Sequence, residues 1–381
     1  MLGARSSQFD RVARTCGLEE IHYTRTGIQA VRVDVNRLST EVHQHMNLAR
    51  EESYAQNQNL EYRIKHHMGE LFQAFVKSIA SDPKLDPNTQ NLRLPILPLK
   101  KSRSAPELRR RRNVTEQVLL NLLEYDAAVT ESDVQKSLRY VYRLPKPAQD
   151  RIIAIIRHHK FQAWLSDVES TVLFLNGHYT ASGSTRQCPT SFVCARLASA
   201  MQSDRDAEEE PSLHPAVRTI AISFFCAEHV ENGDTYRGAR GIMKSLVGQL
   251  LVSYRFDTRI MAALQEADFE HVKTLCMGFT LLVNSLPAEI VLVCIVDAIT
   301  VHEESESRGR KVEYVLEALA ELANNEEERE CVFKLLLTCP RVSRRYSGKV
   351  DAANVLSMPE KVASQGAFTM VKWDGYTSTG A

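Results

Sequence analysis

TVLFLNGHYTASGSTRQCPTSFVCARLASAM, residues 171–201, is the stretch of the 381-residue chain that decides the fold. Its first part, 171–175, is a continuous apolar run, which predicts a strand buried on both faces of a parallel sheet. A polar loop bounded by Gly177 and Gly183 follows, and Pro189 stands where a helix can begin. Strand, glycine-bearing loop and helix are the layout of a phosphate-binding loop, in which backbone N–H groups and the helix N-terminus face an anion.

The same loop departs from the Walker A pattern G-x-x-x-x-G-K-[ST]. Five residues separate Gly177 from Gly183, one more than the pattern allows, and Ser184 stands where the lysine belongs. No lysine occurs between residues 160 and 244, so the cation that would reach the terminal phosphates of a nucleotide is missing locally. The sequence predicts a loop that offers backbone N–H groups and the hydroxyls of Ser184 and Thr185, but no lysine.

Apolar strands and amphipathic helices alternate through the rest of the chain. The predicted strands after the first are 217–226, 289–297, 332–338 and an edge strand, 367–373. The helices between them include 239–251 and 312–323. This alternation predicts an α/β domain with a doubly wound, mostly parallel sheet. Such sheets bind ligands at the carboxyl ends of their strands, where Gly177, Asp297 and Arg341 fall.

The residues before the sheet divide by composition. We predict a helical N-terminal region over 1–80, a proline-rich and basic linker over 81–112, a helical adaptor over 113–168 and the α/β domain over 169–375. In the adaptor, 113–116 and 130–133 resemble helix-capping sequences. One amphipathic helix is predicted to follow, with its apolar residues at Ile152, Ile153, Ile156, Phe161, Trp164 and Leu165.

Two apolar stripes with the spacing of a coiled-coil seam mark the N-terminal region. The first comprises Val31, Val35, Leu38 and Val42, and the second Leu60, Ile64, Met68, Leu71, Phe75 and Ile79. A small bundle that packs on itself would account for them. A helix for self-association or for another protein partner is the alternative, and the sequence leaves it open beside the favoured bundle.

Composition excludes some classes of function. With 47 basic and 47 acidic residues, the chain has no net charge to attract nucleic acid or an anionic membrane. No apolar run approaches the length of a membrane span. None of the eight cysteines forms a C-x-x-C pair, which favours reduced thiols in a cytoplasmic or nuclear protein and gives no zinc spacing. The basic cluster at 100–112 leaves a nuclear-localisation or nucleic-acid patch as an alternative.

The order of four segments resembles a known family. NGHYTASGSTRQCPTSFVCARL, RTIAISFFC, EIVLVCIVDAITVHE and KLLLTCPRVSRR are similar to the P-loop core of fungal STAND-type proteins, the NACHT-like and nephrocystin-like N-terminal domains. The resemblance covers residues 151–373 and implies a nucleotide-driven switch in signalling. It also implies that the N-terminal helices are an effector or adaptor, and that the chain is a shortened member.

The resemblance assigns roles to single residues. Asp297 matches the Walker B aspartate, which implies a Mg²⁺ ligand, and Thr338 and Arg341 match the end of the sensor strand. The acid that would polarise water is absent, since residues 298–301 are Ala-Ile-Thr-Val. The candidate nucleotide-binding residues are Gly177, Gly183, Ser184, Thr185 and Arg341, with Asp297 for the metal and no catalytic residue.

These residues predict a regulatory or scaffolding protein with a degenerate nucleotide-binding domain, a pseudo-NTPase that acts through protein contacts. No cofactor is firmly expected. The alternative is an active ATP- or GTP-dependent switch that uses Mg²⁺ and a non-standard loop. A third possibility is a nuclear protein that contacts nucleic acid through residues 100–112.

Overall fold

The computed structural model describes residues 57–79, 114–139, 144–179, 188–203, 216–325 and 329–364. The chain divides into two compact units, Met1–Tyr62 and Arg63–Ala381. The predicted stripe at 31–42, the linker, the edge strand at 367–373 and the loop residues 180–187 lie outside the described residues.

Five parallel strands form one sheet in the order β2-β3-β4-β1-β5. They are β1 (Thr171–Asn176), β2 (Arg218–Phe225), β3 (Ile290–Asp297), β4 (Val332–Cys339) and the short β5 (Val355–Ser357). The first four are buried along nearly their whole length, as the continuous apolar runs predict. The α/β class with a parallel sheet, expected from the sequence, is therefore confirmed.

Helices cover both faces of this sheet. Residues 57–79 are helical (α1). The others are α2 (Val114–Leu122), α3 (Ala127–Arg139), α4 (Lys146–Arg157), α5 (His159–Ser166), α6 (Pro189–Ser203), α7 (Gly238–Ser253), α8 (Thr258–Gln265), α9 (Val272–Asn284) and α10 (Glu306–Asn324). Helices α7, α9 and α10 share one core with alternate residues of the strands, including Leu292, Cys294 and Val296 of β3. Helix α6 contacts β2, β3 and β4.

The adaptor helices differ from their predicted form. Helix α3 begins at Ala127, where Asp126 accepts the N–H of Ala128 at 2.9 Å, so the predicted cap at 130–133 lies inside the helix. The single amphipathic helix predicted over Ile152–Leu165 is two helices, α4 and α5, because His158 adopts an extended conformation between them. These helices belong to the same compact unit as the sheet. The four-part division of the chain stays a prediction.

The second apolar stripe is part of the protein core. Ile64, Met68, Leu71, Phe75 and Ile79 of α1 are all buried. The ring of Phe75 lies 6.1 Å from that of Phe161 in α5, and His67 is hydrogen-bonded to the Thr219 hydroxyl of β2. This stretch of α1 therefore packs on its own chain.

Every described cysteine is a free, buried thiol. A buried thiol of this kind behaves as a small hydrophobic side chain. Across the described ranges, none of the helices combines the length and apolarity that crossing a bilayer requires.

Candidate functional site

The candidate site lies at the carboxyl ends of β1, β3 and β4. Connections leave β1 and β4 toward opposite edges of the sheet, which creates the crevice where open α/β sheets bind ligands. Gly177, directly after β1, is wedged into this crevice. Its N–H donates to the carbonyl of Cys339 at 2.7 Å, and a Cβ at this position would come within 3.0 Å of the same oxygen. Only glycine fits so close to the backbone that follows β4.

The backbone at Gly177 is therefore already engaged. Tyr179 donates its N–H to the carbonyl of Pro340 at 2.8 Å, and the carbonyl of Gly177 accepts Nη1 of Arg151 at 2.6 Å. Arg151, buried in α4, also donates to the carbonyls of Pro359 and Glu360. One arginine thus joins the start of the loop to the segment after β5. The N–H groups of Gly177 and Tyr179, which the sequence offers to a phosphate, serve the fold.

Asp297 lies at the end of β3 and is 1% exposed. The Ser191 hydroxyl donates to its Oδ2 at 2.6 Å, and the Thr338 hydroxyl donates to its Oδ1 at 2.5 Å. Ser191 belongs to the first turn of α6 and Thr338 to β4, so the carboxyl group joins three elements.

Burial raises the pKa of Asp297 to about 6, although the two hydroxyls favour its charged form. A carboxyl group at this position is therefore poised between its protonated and charged forms near neutral pH. A raised pKa does not by itself identify a functional acid, because structural hydrogen-bond networks also shift pKa values.

The first turn of α6 is closed by its own side chains. The thiol of Cys188 lies 2.8 Å from the Thr190 hydroxyl and 3.0 Å from the Ser191 hydroxyl, and it accepts the N–H of Ser191 at 3.5 Å. All three residues are buried. Burial raises the pKa of the Cys188 thiol to about 11, so this sulfur is neither a thiolate nor a nucleophile.

The predicted site residues do not all lie at one place in the structure. Gly177 and Asp297 lie on either side of the start of α6, since Thr190 packs against Gly177 and Ser191 binds Asp297. Gly183, Ser184 and Thr185 lie outside the described residues. Arg341 is exposed, and its guanidinium lies 3.9 Å from the carboxylate of Glu304 at the surface.

Sequence reasoning missed Ser191 and Arg151. Ser191 occupies the place next to the strand-end aspartate that a phosphate-binding loop gives to its serine or threonine, and the signal for it was the Pro189 helix start. Counting from Gly177 pointed instead to residues 184 and 185, because the loop before α6 is longer than the pattern. Arg151 carries no such signal, since its partners are backbone carbonyls distant in sequence.

A bound nucleotide with Mg²⁺ would need oxygen ligands for the metal and N–H groups or cations for the phosphates. The oxygens of Asp297 and Ser191 are of the kind that Mg²⁺ prefers, but they are buried and bound to each other. Two N–H groups of the loop, those of Gly177 and Tyr179, already donate to backbone carbonyls. No lysine occurs in the sequence between residues 160 and 244. Within the described residues, no cluster of three or more metal-binding side chains exists. The oxygens of Asp297 and Ser191 thus fit Mg²⁺ in type, whereas the N–H groups of Gly177 and Tyr179 already donate to the backbone after β4 and are not free for a phosphate.

Comparison of the chain with family models, with curated proteins and with solved structures finds no match.

Proposed function

We propose that the chain is a regulatory or scaffolding protein, similar to the STAND type, whose nucleotide-binding domain is degenerate and acts through protein contacts. The observation that supports the proposal is the state of Asp297: a buried carboxyl group whose two oxygens accept hydroxyls of the protein itself. Phosphoryl transfer needs charges that neutralise the terminal phosphates, but the loop has no lysine and the carboxyl group of Asp297 is buried.

A second observation concerns protein contacts. Three large apolar side chains, Met277 and Leu281 of α9 and Tyr314 of α10, are exposed around a groove of about 500 Å³. Exposed apolar surface of this kind is typical of proteins that contact other proteins.

One contact favours a second candidate, the active switch. The Ser191 hydroxyl and the Asp297 carboxylate are the pair of oxygens that would hold Mg²⁺ beside a bound nucleotide, where the metal would neutralise phosphate charge. In that case Ser191 would release its hydrogen bond to Asp297, and a carboxylate rather than a carboxylic acid would be required.

The deciding experiment measures binding and hydrolysis of ATP and GTP by the full chain with Mg²⁺. We expect no hydrolysis above background and no saturable binding below about 1 mM in the crevice. Losing one preorganised electrostatic contact costs about 3 kcal/mol, roughly a hundredfold in rate, and here the lysine and the second acid are both missing.

Asp297→Asn and Ser191→Ala are the matched variants. Mg²⁺-dependent hydrolysis that both variants abolish would replace the pseudo-NTPase with the active switch. Hydrolysis that survives both variants would indicate a contaminating enzyme and leave the measured background as the result for this chain.

A further inference from the structure

The groove between α9 and α10 is bordered by apolar side chains that face solvent. The described residues contain seven exposed large apolar side chains, and three of them lie here: Met277, Leu281 and Tyr314. Met277 is 63% exposed and Leu281 is 40% exposed, although the opposite face of their helix packs in the core. Single exposed apolar residues are common on protein surfaces, whereas a patch shared by two packed helices is typical of an interaction surface.

The two helices that form the groove run in the same direction. Helix α9 leads into β3 and α10 leads into β4, and these neighbouring strands are parallel. Both helices pack on the same side of the sheet, in one core. The first turns of the two helices therefore lie at one end of the groove, and their last turns lie at the other.

Two lysines mark one end of this groove and a glutamate marks the other. Lys273 precedes Met277 by four residues in α9, and so lies on the same helix stripe. Lys311 precedes Tyr314 by three residues in α10, again on one stripe. Glu321 follows Tyr314 by seven residues and lines the groove. Both lysines and the glutamate are exposed, and within the described residues none of the three forms an ion pair.

The charges at the two ends of the groove do not neutralise each other within one chain. Lys311 and Glu321 are separated by about 15 Å along α10, at a rise of about 1.5 Å per residue. This separation exceeds the screening length of about 8 Å at physiological salt, so screening removes most of their attraction. Several neighbouring charged groups of α10 are instead paired within the chain: Glu313 and Glu317 with Lys349, and Arg310 with Glu306.

We propose that this surface binds the same surface of a second copy of the chain, with the two copies related by a two-fold axis. We call it the α9–α10 face, and it comprises Lys273, Met277, Leu281, Lys311, Tyr314 and Glu321. Along the helices the face is basic, then apolar, then acidic. An antiparallel copy therefore brings its glutamate opposite the lysines and its apolar patch onto the apolar patch.

The order of charges favours a second copy over an unrelated protein. A two-fold interface must be complementary to itself, because every contact occurs twice. An unrelated partner would place no such requirement on the two ends of the face. The inference rests on the proposed function only in assigning this groove to protein contacts, and it names the partner.

The first test is sedimentation velocity of the full chain over about 1–300 µM, at about 50 mM salt so that screening is weak. We expect a reversible dimer. Met277→Asp should weaken dimerisation at least about tenfold, because it buries an unpaired charge in the apolar centre of the interface. Arg259→Glu, a charge reversal at an exposed position of α8, is the control and should dimerise like the unmodified chain.

Charge reversal tests the antiparallel arrangement. Lys311→Glu and Glu321→Lys should each weaken dimerisation about tenfold, because each variant places like charges opposite each other at both symmetric contacts. An equimolar mixture of the two variants should dimerise about as tightly as the unmodified chain, since a glutamate then faces a lysine at both contacts. Both substituted residues are exposed, so the variants should fold, and recovery in the mixture would demonstrate that they do.

Three results would overturn the proposal. The first is a chain that stays monomeric over this concentration range. The second is dimerisation that Met277→Asp retains, which would locate the contact elsewhere, for example in the N-terminal stripes. The third is a mixture that associates no better than its components, which would mean that the face binds a different partner. None of these results changes the outcome of the nucleotide experiment, and hydrolysis of ATP or GTP would overturn the proposed function without removing the expected dimer.

Discussion

At the scale of the residue, Asp297 contributes to stability in a pH-dependent way. Its pKa is raised to about 6 by burial, against 3.8 for a free aspartate, so the folded protein holds this proton more tightly than the unfolded chain does. The resulting stabilisation is complete below the unfolded pKa and is lost as the pH rises through the folded pKa. The loss amounts to about 3 kcal/mol, since each pKa unit corresponds to about 1.4 kcal/mol.

Asp297→Asn should therefore become more stable, relative to the unmodified chain, as the pH rises from about 4 to about 8. Asparagine keeps the shape and can accept one hydroxyl and donate to the other, but it carries no charge to bury. Denaturant unfolding of both proteins at each pH measures the difference, which should grow by about 3 kcal/mol. A difference that stays constant would show that Asp297 is charged throughout. Stabilisation of the unmodified chain by Mg²⁺, absent in Asp297→Asn, would favour the active switch.

The same residues show where sequence reasoning succeeds and where it stops. Asp297 was predicted at the end of β3 because a buried strand is a continuous apolar run that ends at a visible polar residue. Ser191 was missed because its partner is 106 positions away, and no local pattern fixes which hydroxyl of a long loop reaches a carboxylate.

At the scale of the element, the four long strands were predicted to within one residue at each end. A strand of a parallel sheet is covered on both faces, so its buried residues form a continuous apolar run that is visible in the sequence. The break between α4 and α5 at His158 was not predicted, because the apolar spacing continues across it without glycine or proline. The start of α3 was misplaced because Asp126 and Thr130 are both plausible caps, and tertiary packing selects Asp126.

Helix α7 makes close approaches that require glycine. A Cβ at Gly241 would come within 1.7 Å of the carbonyl oxygen of Tyr236, and one at Gly248 within 2.3 Å of the ring of Tyr125. Gly248→Ala should cost about 1–3 kcal/mol as an overpacked contact that a side chain can partly relieve. Gly241→Ala should cost more, because the obstacle is backbone. Gly69→Ala in α1, where a Cβ meets nothing within 4 Å, is the control and should stabilise by about 0.5–1 kcal/mol.

Denaturant midpoints of the three variants test this order. Equal losses of stability in Gly241→Ala and Gly248→Ala would mean that the backbone at Tyr236 moves as easily as the Tyr125 ring. That result would contradict the prediction that the backbone contact is the more rigid of the two. A loss in Gly69→Ala would show that the α1 face near Gly69 is covered.

At the scale of the whole molecule, β2 lies at one edge of the five described strands, and a side chain of α7 covers part of that edge. Gln249 of α7 behaves like a neighbouring strand: its Oε1 accepts the N–H of Ser223 at 2.8 Å, and its Nε2 donates to the carbonyl of Ser223 at 2.7 Å. Both groups are buried. Unprotected edges invite pairing with another copy of the sheet, so we expect this glutamine to limit self-association in addition to pairing with the backbone. At the other edge, β5 is only three residues long.

Gln249→Met should destabilise the protein and increase its self-association. Methionine has a similar volume but cannot pair with the backbone, so the N–H and carbonyl of Ser223 lose their partners at a cost of about 1–3 kcal/mol each. We expect a lower denaturant midpoint and, in light scattering over a concentration series, more self-association than in the unmodified chain. Gln265→Met, the same change at an exposed position of α8, is the control and should stay within about 0.5 kcal/mol. A Gln249→Met protein with unchanged stability would show that water replaces the amide. One with lost stability but unchanged association would leave Gln249 a structural residue and remove its role in guarding the edge of the sheet.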